Sequence, residues 1–126
     1  MIVVLYGIGI DLTEIERVKQ VVTKQPQFVE RVLTPDEQQQ MAQFRGQRKW
    51  EYLSGRWSLK ESFAKAFGTG IGAQVGFQDI EIIDNVAGRP IITKSPFCGQ
   101  SLASVSHTGK LVMTEVVLEK ETTNDE

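Results

Sequence analysis

With 126 residues and 40% hydrophobic content, the chain is sized for one domain built on one core. Its 14 Lys and Arg against 16 Asp and Glu leave a formal charge of -2, so no overall basic field points to nucleic acid or to an anionic membrane. The single cysteine, Cys98, excludes an internal disulfide and, with the single histidine, a Cys/His zinc site, so a reducing, cytoplasmic setting is the default expectation.

The opening "MIVVLYGIGI" has no Lys or Arg before its apolar run and meets Asp11 at once. It reads as a buried strand over residues 2–10 rather than an export signal, with Asp11 at its exit. Leu12, Ile15, Val18 and Val21 or Val22 then recur at helical spacing, and Thr13 with Glu16 matches a capping box, which predicts a helix directly after the strand. A second helix opens with Thr34 as N-cap, Pro35 at the first position and Asp36 and Glu37 in the first turn, and is expected to end near Gly46. A third runs from about Arg48 to Phe67, with Trp50, Leu53, Trp57, Ala64 and Phe67 on one stripe and Gly68 as its stop.

Beyond the glycine loop, "FQDIEIID" alternates as a half-buried strand does, "NVAGRP" is a turn and "IITK" pairs back. "SPFCGQ" is expected to hold a short helical turn. "SLASVSHT" and "LVMTEVVLE" are two more strands, split by Gly109 and Lys110, and the polar "KETTNDE" reads as a frayed tail. One strand, three helices and four strands in hairpins predict an α+β fold, an antiparallel sheet packed against helices. The domain is expected to span residues 1–119, with a tail over 120–126. No apolar run approaches the roughly 20 residues that cross a bilayer, so no membrane span is expected and the protein is expected to be soluble.

Several residues could carry chemistry. Asp11 fits two roles: the N-cap of the following helix, or a ligand to a bound group, since Gly7 and Gly9 permit close approach. Glu61 and Lys65 are four apart in the favoured order for an ion pair, and a surface bridge of that kind contributes about 0.3–0.5 kcal/mol. Yet Glu61 also follows Trp57 by four residues, at the edge of the apolar stripe, where a half-sheltered carboxylate needs a cation. Ser54, Gly55, Ser58 and Ser62 around it are small, and a mid-helix Gly55, which costs about 1 kcal/mol relative to Ala, suggests a close approach there.

The loop "GTGIG" follows a helix and lacks GK[ST], so it is neither a Walker A loop nor a dinucleotide fingerprint. A helix C-terminus repels phosphate. A pyrophosphate near Gly68 would need cations, which Lys60, Lys65, Arg56 and a carboxylate-bound Mg²⁺ can supply. His107 fits a structural and a functional role equally. Arg17, Lys24, Arg31, Arg48 and Lys49, read by themselves, are scattered charges on a solvated face.

Taken together, "GIGIDLTEIERV" (7–18), "LSGRWSLKESFAKAFGTGIG" (53–72), "GRP" (88–90) and "SVSHT" (104–108) resemble the holo-[acyl-carrier-protein] synthases, the short class of 4′-phosphopantetheinyl transferases. The resemblance covers the chain to about Glu119. Its most specific part is the GxD element followed by [W/F]xxKExxxK, here Trp57, Lys60, Glu61 and Lys65. The resemblance implies that a serine hydroxyl of an apo acyl carrier protein attacks the β-phosphate of coenzyme A, with adenosine 3′,5′-bisphosphate as leaving group, in support of fatty acid biosynthesis.

It further implies that Asp11 and Glu61 bind Mg²⁺ and that Lys65 neutralises or protonates the leaving group. Arg56, Lys60, Lys65, Gly68, Arg89, Pro90, His107 and Thr108 would hold coenzyme A. Basic residues, here Arg17, Lys24 and Arg48, would meet an acidic carrier, with Gln27 where a further basic residue is often found. The assembly would be a homotrimer with active sites where subunits meet. The serine nucleophile then belongs to the partner, which accounts for the absence of a Ser/His/Asp arrangement; whether Glu61 or a metal-bound water is the base stays open. Two other readings are a metal-dependent hydrolase of the coenzyme A pyrophosphate and a non-catalytic carrier-binding adaptor.

Overall fold

The computed structural model describes residues 2–122. A long strand, β1 (Ile2–Glu14), leads into four helices, α1 (Ile15–Lys24), α2 (Phe28–Val32), α3 (Pro35–Met41) and α4 (Gly46–Phe67). A 3-10 turn at Phe77–Asp79 follows, then β2 (Glu81–Asp84), β3 (Pro90–Lys94), β4 (Gln100–His107) and β5 (Leu111–Thr122). All pairings are antiparallel: a three-stranded sheet in the order β1-β5-β4 and a separate β2-β3 hairpin. The α+β expectation therefore holds, with the strands divided between two sheets.

The organising element is α4. Its 22 residues contain no proline and no β-branched side chain, the two classes that most weaken a helix interior. It ends where expected, with Gly68 in the left-handed region at φ 103°. Leu59, Phe63, Ala64 and Ala66 pack with Val75, Ile80, Ile82, Val116 and Leu118 in one core cluster, while Tyr52 and Leu53 pack with Val18, Val32 and Leu33 in another. Each fully buried Leu or Phe in these clusters stabilises the fold by roughly 1.5–3 kcal/mol. Because α4 feeds both clusters, it is buried on most of its sides rather than along the single stripe of the sequence reading.

Four boundaries differ from expectation. The strand β1 continues through Asp11 to Glu14, because Leu12 and Thr13 pair with Met113 and Val112 of β5. The helix α1 thus begins at Ile15, its N-cap Glu14 makes no side-chain cap bond, and the Thr13–Glu16 capping box is not formed. The helix α3 does form the reciprocal Thr34–Glu37 box, but ends at Met41 rather than near Gly46. Residues 95–99 hold no helical turn, and the short α2 gave no periodic signal. Of the expected tail, Lys120–Thr122 belong to β5, and 123–126 lie outside the described residues.

One face of the sheet is covered by α4. The other carries exposed Leu5, Ile8, Ile10, Leu12, Leu102 and Met113. Among the described residues no helix is long and apolar enough to cross a membrane.

Candidate active site

The covered face of the sheet is where the chemistry gathers. A Cβ at Gly9 would lie 1.9 Å from the Ser62 carbonyl, and one at Gly7 would lie 1.9 Å from that of Ala66, so only glycine lets β1 approach the last turns of α4 this closely. The close approach anticipated around the small residues of α4 is made by this strand. Gly55, by contrast, has open space where a Cβ would be.

This contact brings Asp11 against α4. Its Oδ2 accepts hydrogen bonds from Thr13 Oγ1 at 2.7 Å and Ser58 Oγ at 2.8 Å. Ser58 is in turn 2.8 Å from Thr114 Oγ1, which is 2.7 Å from Ser62 Oγ, so a buried line of hydroxyls backs the carboxylate. The other oxygen, Oδ1, faces Lys65 Nζ at 3.4 Å, and the same ammonium donates to the Ile10 carbonyl at 3.1 Å. Asp11 is therefore neither a helix cap nor a loose surface acid; two hydroxyls fix one oxygen and leave the other toward the cation.

Glu61 stands one turn before Lys65 on α4 and is partly buried. Burial pushes its pKa up, Asp11 pushes it further, and Lys65 pulls it back. Two carboxylates that feel each other in a half-dry setting are a charge arrangement that a divalent cation would complete. Among the described residues no group of three or more His, Cys, Asp or Glu side chains could hold a metal. A pair of carboxylates suits Mg²⁺, which keeps several waters and takes its remaining ligands from substrate phosphates. The expected Glu61–Lys65 bridge is not formed, since Lys65 turns to Asp11 instead.

Asp11 and Glu61 open onto a cleft of about 820 Å³ whose walls include Arg17 of α1, Phe28 of α2, Trp57 of α4 and Phe77. Phe28 and Phe77 were not singled out from sequence, because nothing local places an isolated aromatic beside a residue far along the chain. Lys24 lies in the last turn of α1, exposed.

The remaining candidates divide. Lys60 is fully buried, with Nζ 2.6 Å from Glu37 Oε1 and 2.6 Å from the Val32 carbonyl, so it offers no surface to a coenzyme. This corrects the sequence reading: adjacent to Glu61 in sequence, Lys60 points to another side of the helix, about 100° away. Arg56 is also buried, ion-paired with Asp84 and stacked 4.2 Å over the Tyr52 ring, which makes it a structural cation in this chain.

Gly68 caps α4, and the N–H groups of Gly68, Thr69 and Gly70 all point to the Ala64 carbonyl, so the loop's amides are engaged internally. His107 Nδ1 lies 3.5 Å from Glu51 Oε2, and Thr108 Oγ1 accepts from the Lys110 and Leu111 amides at the β4–β5 turn. Arg48 Nη2 is 3.6 Å from Asp84 Oδ2. Arg89 and Pro90, in the β2–β3 turn and at the start of β3, line a separate hollow with Leu102 and Glu115 that shares no residue with the Asp11 cleft. The structure thus unites Asp11, Glu61, Lys65 and Arg17, and sets His107, Thr108 and Arg48 around the first half of α4. Glu51 and Glu61, which mark the two groups, are about ten residues or roughly 15 Å apart along the helix.

Residues 7–118 match the 4'-phosphopantetheinyl transferase superfamily profile. The chain is 69% identical over 115 residues to a holo-[acyl-carrier-protein] synthase of Limosilactobacillus reuteri, covering 91% of this chain and 96% of the relative. It is 57% identical over 114 residues to one of Limosilactobacillus fermentum, covering 90% and 96%. A crystal structure of a holo-(acyl-carrier-protein) synthase from Bacillus anthracis in complex with CoA (3',5'-ADP) superposes with a TM-score of 0.86 at 37% identity, covering 93% of this chain and 98% of that one.

Proposed function

The chain belongs to the 4′-phosphopantetheinyl transferase superfamily, and from that premise we propose that it acts as a holo-[acyl-carrier-protein] synthase. A serine hydroxyl of an apo acyl carrier protein forms a bond to the β-phosphorus of coenzyme A. The pyrophosphate P–O bond breaks, the phosphopantetheine arm passes to the carrier, and adenosine 3′,5′-bisphosphate leaves. The single observation that carries this reading is the pair Asp11 and Glu61 on the wall of a cleft large enough for a substrate arm, with Lys65 set against Asp11.

Phosphoryl transfer asks for alignment and charge neutralisation more than for covalent catalysis. Asp11 and Glu61 would hold Mg²⁺, and that ion would supply neutralisation across the pyrophosphate. Glu61, with its raised pKa, receives the serine proton directly or through an intervening water. Lys65, half exposed beside Asp11, offsets charge on the departing bisphosphate. Arg17 and Lys24 on α1 flank the cleft, where an acidic carrier would dock.

A homotrimeric assembly is part of the proposal. In one chain the His107, Thr108 and Arg48 group is remote from the Asp11 group, and a site between two chains would place one chain's first group beside the other's second. The exposed apolar side chains on the uncovered sheet face support self-association there. Gly68, Arg89 and Pro90 would complete the coenzyme's surroundings. Fatty acid biosynthesis in the cytoplasm is the proposed setting.

The test is incubation with coenzyme A, Mg²⁺ and an apo acyl carrier protein, followed by intact-mass measurement of the carrier. A gain of one phosphopantetheine arm is expected. Coenzyme consumed with the carrier's mass unchanged would make the protein a hydrolase instead.

A further inference from the structure

The most deeply buried charge pair in the described chain is one the proposed chemistry leaves unused. Lys60 and Glu37 have no exposed side-chain surface. The Lys60 ammonium donates to Glu37 Oε1 at 2.6 Å, to the Val32 carbonyl at 2.6 Å and to the Phe77 carbonyl at 2.9 Å, which engages all three of its protons. Glu37 is equally occupied: Oε1 also accepts from the Thr34 amide at 2.8 Å, and Oε2 accepts from the Ile82 amide at 2.7 Å.

The two carbonyls belong to the segments that wall the cleft. Val32 closes α2, whose Phe28 faces the cleft, and Phe77 lines it directly. Trp57, one turn before Lys60 on α4, lies against both, stacked on Phe77 with ring centroids 4.9 Å apart and tilted against Phe28 at 5.3 Å. A well-packed apolar pair could hold these segments together without desolvating two charges. What the ammonium adds is direction, since a single donor group fixes two carbonyls from separate segments against one helix.

We infer that Lys60 and Glu37 are positioning residues for the carrier-facing wall of the cleft. From beneath, the pair locks the end of α2 and the Phe77 turn onto α4 and so sets the Phe28–Trp57–Phe77 stack on which the carrier rests. Lys60 makes no contact with coenzyme A. The inference deepens the proposed function and rests on it for the identity of the carrier.

The test uses the full chain carrying Trp50→Phe, which leaves Trp57 as the one remaining tryptophan. Three forms are compared: Lys60 intact, Lys60→Met, and Lys60→Met with Glu37→Gln. The Glu37→Gln change keeps one acceptor, for the Thr34 amide, gives up that of the Ile82 amide and removes the orphaned carboxylate, so the double variant regains part of the thermal stability that the single one loses. Neither variant restores a donor to Val32 and Phe77. In both, acrylamide quenching of Trp57 rises about twofold and KM for the apo carrier rises roughly tenfold, the scale of one lost hydrogen bond, while the coenzyme A Kd from calorimetry stays within about twofold.

A coenzyme Kd raised about tenfold in both variants would make Lys60 a ligand and overturn the inference. Full recovery of Trp57 quenching and of carrier KM in the double variant would also overturn it, by reducing the pair to a stability element. Quenching and coenzyme binding need no turnover. A parent protein that fails to modify the carrier therefore sinks the functional reading alone, and Trp57 still decides whether the pair sets the wall.

Discussion

Gly9→Ala is the sharpest probe of how packing makes the site. A Cβ at residue 9 would lie 1.9 Å from the Ser62 carbonyl oxygen and 2.8 Å from the Ala66 amide nitrogen, whereas real Cβ contacts stop near 3.0 Å. The strand β1 must therefore retreat from α4 by about 1.1 Å at that point, the difference between 3.0 and 1.9 Å. The obstructing atoms are helix backbone, so no rotamer change relieves the clash. Overpacking of this kind costs about 2 kcal/mol, which in a chain of this length lowers Tm by roughly 6–10 °C.

Asp11 rides on the same strand two residues later, and its bond from Ser58 spans the gap being opened. A separation of that size takes the 2.8 Å contact beyond hydrogen-bonding range. Misplacing a reacting group by about 1 Å costs on the order of 10²-fold in rate. Thermal unfolding by circular dichroism and transfer rate at saturating substrates are the two measurements, with Gly55→Ala as the control. That residue lies on the same helix with nothing within 4 Å of its added Cβ, so the change should stabilise by roughly 0.5–1 kcal/mol. A Gly9→Ala protein with the parent's Tm and rate would refute the argument.

Ser58→Ala removes one of two hydroxyls on Asp11 Oδ2, so Mn²⁺ affinity, measured by calorimetry with coenzyme A present and no carrier, should fall by at least about tenfold; unchanged affinity would sever the hydroxyl line from metal binding. Glu61 has a raised pKa, so the native state keeps its proton after the unfolded chain has released it near 4.5. Its contribution to stability is thus present below that value and lost as pH rises through the folded pKa. Glu61→Gln, which should abolish transfer and keep the fold, should therefore gain Tm relative to the parent between about pH 4 and pH 8 without divalent ions; a flat difference would contradict the shift. Arg17→Gln or Lys24→Gln should raise carrier KM several-fold at low salt and little at high salt, and an effect indifferent to salt would remove electrostatic docking from the account.

What sequence reveals about this chain follows the range of each signal. The Thr34 N-cap and the Gly68 stop are local, and both are where the residues place them. The end of β1 is not local. Leu12 fits a helical period and Thr13 a capping box, but pairing with Met113 and Val112 near the other end of the chain keeps them extended and turns Asp11 from a cap into a strand-borne ligand candidate. The short helix α2 has too few residues for a period and is tied down through the Val32 carbonyl, a contact no window of sequence contains. Lys60 and Lys65 look alike in a motif, and only the helix's surroundings separate a sealed ammonium from a half-exposed one beside Asp11. Glu37 held the missing clue, since a buried capping glutamate needs a cation and α4 had one to give.

The helix α4 interleaves its tasks at single-residue spacing: Ser58 backs Asp11, Lys60 pins another side, Glu61 enters the cleft and Ser62 returns to β5. One residue added or deleted between Leu53 and Trp57 would rotate everything after it by about 100°. The lysine would swing out of its socket and the glutamate away from its partner in the same event. Homologous sequences should therefore keep this stretch gap-free, a pattern that can be counted without touching the protein.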